Sequence, residues 1–197
     1  MKRKTFIHTI LGGAAAPLFF PFLGYLLPQT NKRYLRPPGA KKENEFINAC
    51  IGCGSCASVC PNKCIELYGL EGGISNIATP KINARAKGCI LCMACTNACP
   101  TGALKKIEST KKGKASVRMG KAYIATDICY SYAGRTCGVC YRACPLPGLA
   151  LSVDLYEVPK VNLKHCVGCG LCENACIHMP QAIRIIPDAE LEMRNAG

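Results

Sequence analysis

Cys166-Val-Gly-Cys169-Gly-Leu-Cys172-Glu-Asn-Ala-Cys176 is the stretch that decides how this chain folds. Its spacing, C-x2-C-x2-C-x3-C, brings three thiols so close together that the backbone must curl around a common centre. The fourth thiol lies past a short turn, where it can reach a neighbouring centre instead. This is the run that wraps a cubane iron–sulfur cluster. Gly168 and Gly170 suit it, because glycine tolerates positive φ and lets the backbone approach the sulfurs. Three further copies precede it: Cys50/Cys53/Cys56/Cys60, Cys89/Cys92/Cys95/Cys99 and Cys129/Cys137/Cys140/Cys144. The first three runs end in Cys-Pro (Pro61, Pro100, Pro145), whereas Ile177 follows Cys176. The third run stretches its first gap with Tyr130-Ser-Tyr-Ala-Gly-Arg-Thr136. Sixteen of the 17 cysteines are thereby candidate ligands of cluster iron in four 4Fe–4S clusters, and Cys64 is left over.

At 197 residues, with no tryptophan and few other aromatics, the chain has little to bury and needs cross-links or metal to hold it. Disulfide frameworks do not require four copies of one ligand spacing, and structural zinc wants two well-separated pairs per site. Cluster insertion is therefore expected to be part of folding. The formal charge of +13 counts every cysteine as neutral. Each cubane with its thiolates carries about −2, which brings the holo-protein to roughly +5. A nucleic-acid partner does not follow from the basic pI.

The fold expected is α+β, small and cluster-rich. It consists of two bacterial-ferredoxin-like (βαβ repeat) modules with long loops, preceded by an N-terminal apolar helix. Residues 1–27 read as a signal or anchor segment. Lys2, Arg3 and Lys4 precede an uncharged stretch from Ile10 to Leu27, 18 residues long, at the lower limit for a membrane span. No small-residue cleavage site follows Leu27, so an uncleaved anchor is favoured. Arg3-Lys4-Thr5-Phe6-Ile7 resembles a twin-arginine export signal with Lys4 at the second arginine. That route carries folded proteins, as cytosolic cluster assembly requires. Residues 28–49 read as a polar linker, 50–121 as a first module with a basic insertion, 122–187 as a second module and 188–197 as a tail. Strands are expected at 65–68, 122–126, 150–155 and 182–186. Asn83, Asp127 and Asn162 read as turn residues ahead of cysteine runs. Each Cys-Pro is expected to open a short helix.

Arg36-Pro-Pro-Gly-Ala40, Glu43-Asn-Glu-Phe46, the stretched third run, Arg118-Met-Gly120 and the missing proline after Cys176 carry a family resemblance. Over residues 34–187 the chain resembles the NapG/MauM group of ferredoxin-type proteins, the four-cluster proteins of periplasmic nitrate reductase and methylamine dehydrogenase systems. Two features depart from that pattern: the two-residue gap between Cys92 and Cys95, where some members have more, and the short tail after Pro187. The resemblance implies an electron carrier rather than an enzyme. Its expected partners are a quinol-oxidising membrane protein and a periplasmic reductase or dehydrogenase. The expected location is the periplasmic side of the bacterial inner membrane, with a cytoplasmic-side body as the alternative. A maturation factor for a periplasmic redox enzyme is the other functional reading.

No Walker A loop, G-x-G-x-x-G or nucleophile–base arrangement stands beside the runs, so no catalytic residue and no small-molecule substrate is indicated. One-electron chemistry remains. Lys105, Lys106, Lys111, Lys112, Lys114, Arg118 and Lys121 face only Glu108 in the second insertion, either as a solvated loop or as a docking surface for an acidic partner. His165 and His178 flank ligand cysteines and read as exposed or supporting side chains. Cys64 reads as a spare thiol, and as a substitute ligand chiefly where Cys129 is remote. The fourth cysteine of each run can serve the next run (first with second, third with fourth) or a nested partner (first with fourth, second with third). The short gap from Cys144 to Cys166 favours the adjacent order.

Overall fold

Each half of the chain wraps an inner hairpin inside an outer strand contact. The computed structural model describes residues 35–188; the anchor segment, the twin-arginine-like start, residues 28–34 of the linker and the tail after Asp188 lie outside the described residues. Among the described residues no helix is long and apolar enough to cross a membrane. In the first half, β1 (Ile65–Leu67) pairs antiparallel with β2 (Pro80–Ile82), and an antiparallel bridge joins Ala40 to Leu104. In the second half, β4 (Leu151–Val153) pairs with β5 (Pro159–Val161), and β3 (Gly120–Ile124) pairs with β6 (Ile183–Pro187). All three pairings are antiparallel, so the βαβ repeat is the ferredoxin kind rather than a parallel crossover.

The hairpins repeat one another in register. Ile65 faces Ile82 in the first, Leu151 faces Val161 in the second, and these pairs point inward. On the outer face of the first hairpin Lys81 lies opposite Glu66 and reaches Glu71 at 3.3 Å. The four expected strands are present within a residue or two. Their partners β2 and β5 escaped the pattern, because each is three residues long and opens with a proline that cannot donate to a ladder. They are legible afterwards as one repeated phrase, Pro80-Lys-Ile-Asn83 and Pro159-Lys-Val-Asn162. Both asparagines form the expected turns: Asn83 O accepts from Lys87 N at 2.9 Å, and Asn162 O from Cys166 N at 2.9 Å.

Short helices sit where the runs are, but the prolines end them rather than open them. The helices are α1 (Glu43–Ala49), α2 (Ser55–Ser58), α3 (Ala94–Ala98), α4 (Lys111–Ser116), α5 (Val139–Ala143) and α6 (Leu171–Ala175). The third cysteine of each run lies inside α2, α3, α5 or α6. In the last three the fourth cysteine is the C-cap, with extended backbone such as φ −75°, ψ 111° at Cys99. Proline forbids the helical conformation to the residue before it, so Pro100 and Pro145 fix the end of the helix at Cys99 and Cys144.

The end of the expected linker is packed into the first half. Phe46 of α1 is fully buried, and Leu35, Pro37 and Pro38 are buried with it. Arg36 is buried too. It pairs with Glu43, donates to Thr79 Oγ1 at 2.9 Å, Pro80 O at 2.8 Å and Asn76 Oδ1 at 2.7 Å, and stacks over Phe46 at 4.7 Å. One guanidinium thus ties the incoming chain, α1 and the β1–β2 loop together. The halves join through their runs: Cys89 N donates to Cys169 O at 2.6 Å and Asn174 Nδ2 to Ala86 O at 2.8 Å. A side chain on Gly88 would stand 2.6 Å from the backbone nitrogen of Leu171, so only glycine permits this approach. Val117, Met119, Val167 and Cys169 belong to the same buried cluster as the first half's core.

Candidate iron–sulfur centres

Two left-handed residues bend runs one, two and four around their hollows, and run three has one at the matching place, Gly138 with φ 56°. In run four Gly168 and Gly170 have φ of 73° and 81°; in run one Gly52 and Gly54 have 67° and 73°. Run two has no glycine at these places, yet Leu91 and Met93 adopt φ of 57° and 62°. Both side chains are 1% exposed, and their burial offsets the backbone cost. The bend turns three cysteine sulfurs to one side, and the short helix carries the fourth cysteine away to the partner run.

The structure brings the sixteen candidate ligands together in four sets. Cys50, Cys53 and Cys56 of run one line a hollow with Cys99 of run two (centre I). Cys129, Cys137 and Cys140 of run three line one with Cys176 of run four (centre III). Cys166, Cys169 and Cys172 of run four line one with Cys144 of run three (centre IV). Cys89, Cys92 and Cys95 of run two meet Cys60 of run one (centre II): Cys95 lies within electrostatic reach of Cys92 and Cys60, and Cys64 touches both Cys60 and Cys89. The arrangement is the adjacent one in both halves. Cys144, not Cys60, occupies the corner beside Cys166, Cys169 and Cys172.

The donor set fits a 4Fe–4S cubane. The three hollows share one lining, three cysteines of one run and the fourth cysteine of its neighbour. Their walls are otherwise nearly all apolar or glycine. All seventeen cysteines are unbridged. Among the described residues no three His, Cys, Asp or Glu side chains close on one point as the ligands of a single ion would. The thiols stand apart around a wall, as the corners of a larger group require.

Burial sets the thiols' readiness to ionise. Desolvation pushes Cys95 and Cys169 up to about 12 and Cys56 and Cys140 to about 11, and raises Cys172 well above the ordinary thiol range. Iron must therefore displace protons from these sulfurs as it binds. Cys53 is exposed, and the Ser55 hydroxyl 3.4 Å away lowers it. Cys99 is pulled up by burial, but the Leu104 N–H and the Thr101 hydroxyl outweigh this and it lies below the usual range. Backbone N–H groups also point at Cys89 from Leu91 and at Cys166 from Ala122, each at 3.4 Å.

The remaining sequence candidates fall as follows. Cys64 is buried with its sulfur 3.6 Å from that of Cys60. The Cys89 sulfur beside it, and then burial, push its thiol far above the ordinary range. It does not stand in for Cys129, which reaches centre III with its own run. His165 is exposed. His178 lines the wall of centre III, where its ring meets Tyr130 edge-on at 5.0 Å and its Nδ1–H donates to Pro180 O at 2.8 Å. Lys105, Lys106, Lys111, Lys112 and Arg118 are exposed, while Lys121 folds back to donate to Cys166 O at 2.7 Å. Sequence reasoning missed Arg36 as a structural clamp; its signal was an arginine followed by two prolines and, seven residues on, an acid.

The centres touch in a definite order. Cys95 of centre II is within electrostatic reach of Cys56 of centre I, and Cys172 of centre IV of Cys140 of centre III. Centres II and IV meet at the Cys89–Cys169 hydrogen bond. The order in space is I, II, IV, III. The two inner centres own most of the buried thiols, and Cys53 of centre I is exposed.

Comparison with known proteins agrees with this chemistry. A 4Fe–4S dicluster domain family matches residues 49–103 and again 88–146, and a 4Fe–4S binding domain family matches 163–176. The second match joins runs two and three, which the fold separates; a sequence match registers cysteine spacing, whereas the grouping in space follows the strands. The chain is 37% identical to the ferredoxin-type protein NapG of Escherichia coli over 167 residues, covering 78% of this chain and 70% of the relative. It is 38% identical to the methylamine utilization ferredoxin-type protein MauM of Methylophilus methylotrophus over 199 residues, covering 94% and 86%. MauM of Methylorubrum extorquens is 35% identical over 173 residues, covering 83% and 76%. With these matches over most of both partners, and four cysteine-walled sites in one ferredoxin-like fold, the chain belongs to the NapG/MauM family of ferredoxin-type 4Fe–4S proteins.

Proposed function

We propose that the chain carries four 4Fe–4S clusters and relays electrons through them in the order I, II, IV, III, or the reverse. It relays them between a quinol-linked membrane partner and a periplasmic redox enzyme, a reductase that receives them or a dehydrogenase that supplies them. The N-terminal segment would hold it at the periplasmic face of the inner membrane. One observation carries the reading: each run shares its fourth cysteine with its neighbour, and the two halves meet at Cys89 and Cys169, so four centres form one continuous line. Each bound cluster would supply one-electron chemistry. The chain's own part is to hold the sulfurs, exclude water from centres II and IV, and aim N–H groups at Cys89 and Cys166. The related MauM proteins are named as ferredoxin-type proteins of methylamine utilization, which supports a redox system as the setting.

The test begins with iron and sulfide analysis of the anaerobic full-length protein, where about sixteen of each are expected. A reproducible value near eight would remove two centres and break the line. The relay itself is tested by supplying quinol, the membrane partner and a fully matured terminal enzyme. Turnover should require this chain. Equal turnover without it would reject the relay and leave a role in maturation.

A further inference from the structure

Four repeats of one run invite a position-by-position comparison. After the fourth cysteine of every run the chain turns and presents one small buried residue just before an apolar strand residue. Runs two, three and four place Ala103, Ala150 and Ala182 there, ahead of Leu104, Leu151 and Ile183, and all three alanines are buried. Each alanine lines a hollow: Ala103 that of centre I, Ala150 that of centre IV, Ala182 that of centre III. In every case it is the same hollow that receives the preceding fourth cysteine. Run one places Cys64 at this position, ahead of Ile65 at the start of β1. Its hollow is therefore centre II, which receives Cys60. The contacts agree, because the Cys64 sulfur lies 3.6 Å from that of Cys60 and also meets Cys89.

Where three centres meet a methyl group, centre II meets a thiol. With iron bound, Cys60 and Cys89 are thiolates and can only accept. Cys64, which is not needed to complete a set of four, keeps the one proton among the three sulfurs. We propose that Cys64 is an unligated hydrogen-bond donor to the iron-bound sulfurs of centre II, and that it raises the reduction potential of that centre above what an alanine would give. Reduction places one more negative charge on the cluster and its sulfurs, so a donor aimed at them favours the reduced form. The proton stays on Cys64 throughout; only the electron moves, from whichever neighbouring centre supplies it. An inner centre of the line thus becomes a preferred resting place for the electron. This inference rests on the four-cluster reading above.

The test is an EPR-monitored redox titration of the full-length anaerobic protein carrying Cys64→Ala, with iron and sulfide measured on the same sample. Alanine is the residue the other three runs use, so iron content should match the wild type. One of the one-electron transitions should move to lower potential, its reduced-to-oxidised ratio at fixed potential falling about tenfold, which is about 59 mV. Cys64→Ser keeps a donor and should move that transition less. Cys64→Val, similar in size and without a proton to give, should repeat the alanine shift and serves if the alanine variant assembles poorly. Unchanged potentials in both donor-less variants would overturn the inference. Loss of about four irons from either would also overturn it, by making Cys64 a ligand. Failure of the four-cluster reading would show separately, in the metal content of the wild type.

Discussion

Replacing Arg36 by alanine should loosen the wall of centre I and leave the other three centres intact. Arg36 is 5% exposed, and its guanidinium holds Glu43, Thr79, Asn76 and the Pro80 carbonyl at once. Removing one partner of a buried ion pair costs about 3–5 kcal/mol. The Glu43 side chain is 27% exposed and can regain water, which argues for the low end. The Pro80 carbonyl and the Thr79 hydroxyl oxygen lose a donor without such relief, each costing about 1 kcal/mol or more. A total near 5 kcal/mol, spent on the segment that carries Ala78 and Pro80 against centre I, raises its opening on the order of a few thousandfold. The assay is anaerobic exposure of the holo-protein to an iron chelator, with iron release followed over time. About four irons should leave early in the variant, and the remaining twelve at the wild-type rate. Arg36→Lys should fall between, since one ammonium cannot span four acceptors. Iron release from Arg36→Ala at the wild-type rate, with unchanged resistance to denaturant, would refute the clamp.

The exchange of fourth cysteines makes a sharper genetic prediction. Cys99→Ser should remove the cluster held by run one while sparing Cys89, Cys92 and Cys95, so spectroscopy should report loss of the more exposed centre I; loss of the run-two cluster would contradict the grouping. Charge reversal at Lys111, Lys112 and Lys114, with α4 starting at the Thr110 cap, should slow reduction of or by the partner enzyme and flatten the salt dependence; unchanged kinetics at low ionic strength would reduce this helix to a solvated surface. Complete iron removal should cost the protein its cooperative fold, because the buried thiols around centre IV have little else to close on. A sharp thermal transition in the iron-free chain at the holo-protein temperature would show that burial alone suffices.

The cysteine spacing was enough to single out the candidate ligands, the kind of cofactor and the ferredoxin-like fold, because a run of close thiols has few ways to meet a cubane. Clustered apolar residues located β1, β3, β4 and β6, and the asparagines marked their turns. The strands β2 and β5 stayed hidden, since three residues led by a proline carry almost no periodicity. The prolines after the runs pointed to helices but not to which side, until the extended backbone of Cys99 and Cys144 placed them as stops. Arg36 belonged to a recognisable motif, yet its role depended on Thr79 and Pro80, more than forty residues away along the chain. Sharing of the fourth cysteines had two solutions, and the short gap from Cys144 to Cys166 only leaned toward the adjacent one. The antiparallel pairings of the strands select that one, because they decide which hollow each helix end faces. The same holds for Cys64. In the chain it is a spare thiol four residues past Cys60. Folded, it occupies the place of Ala103, Ala150 and Ala182, against the sulfurs of a centre that two different runs build.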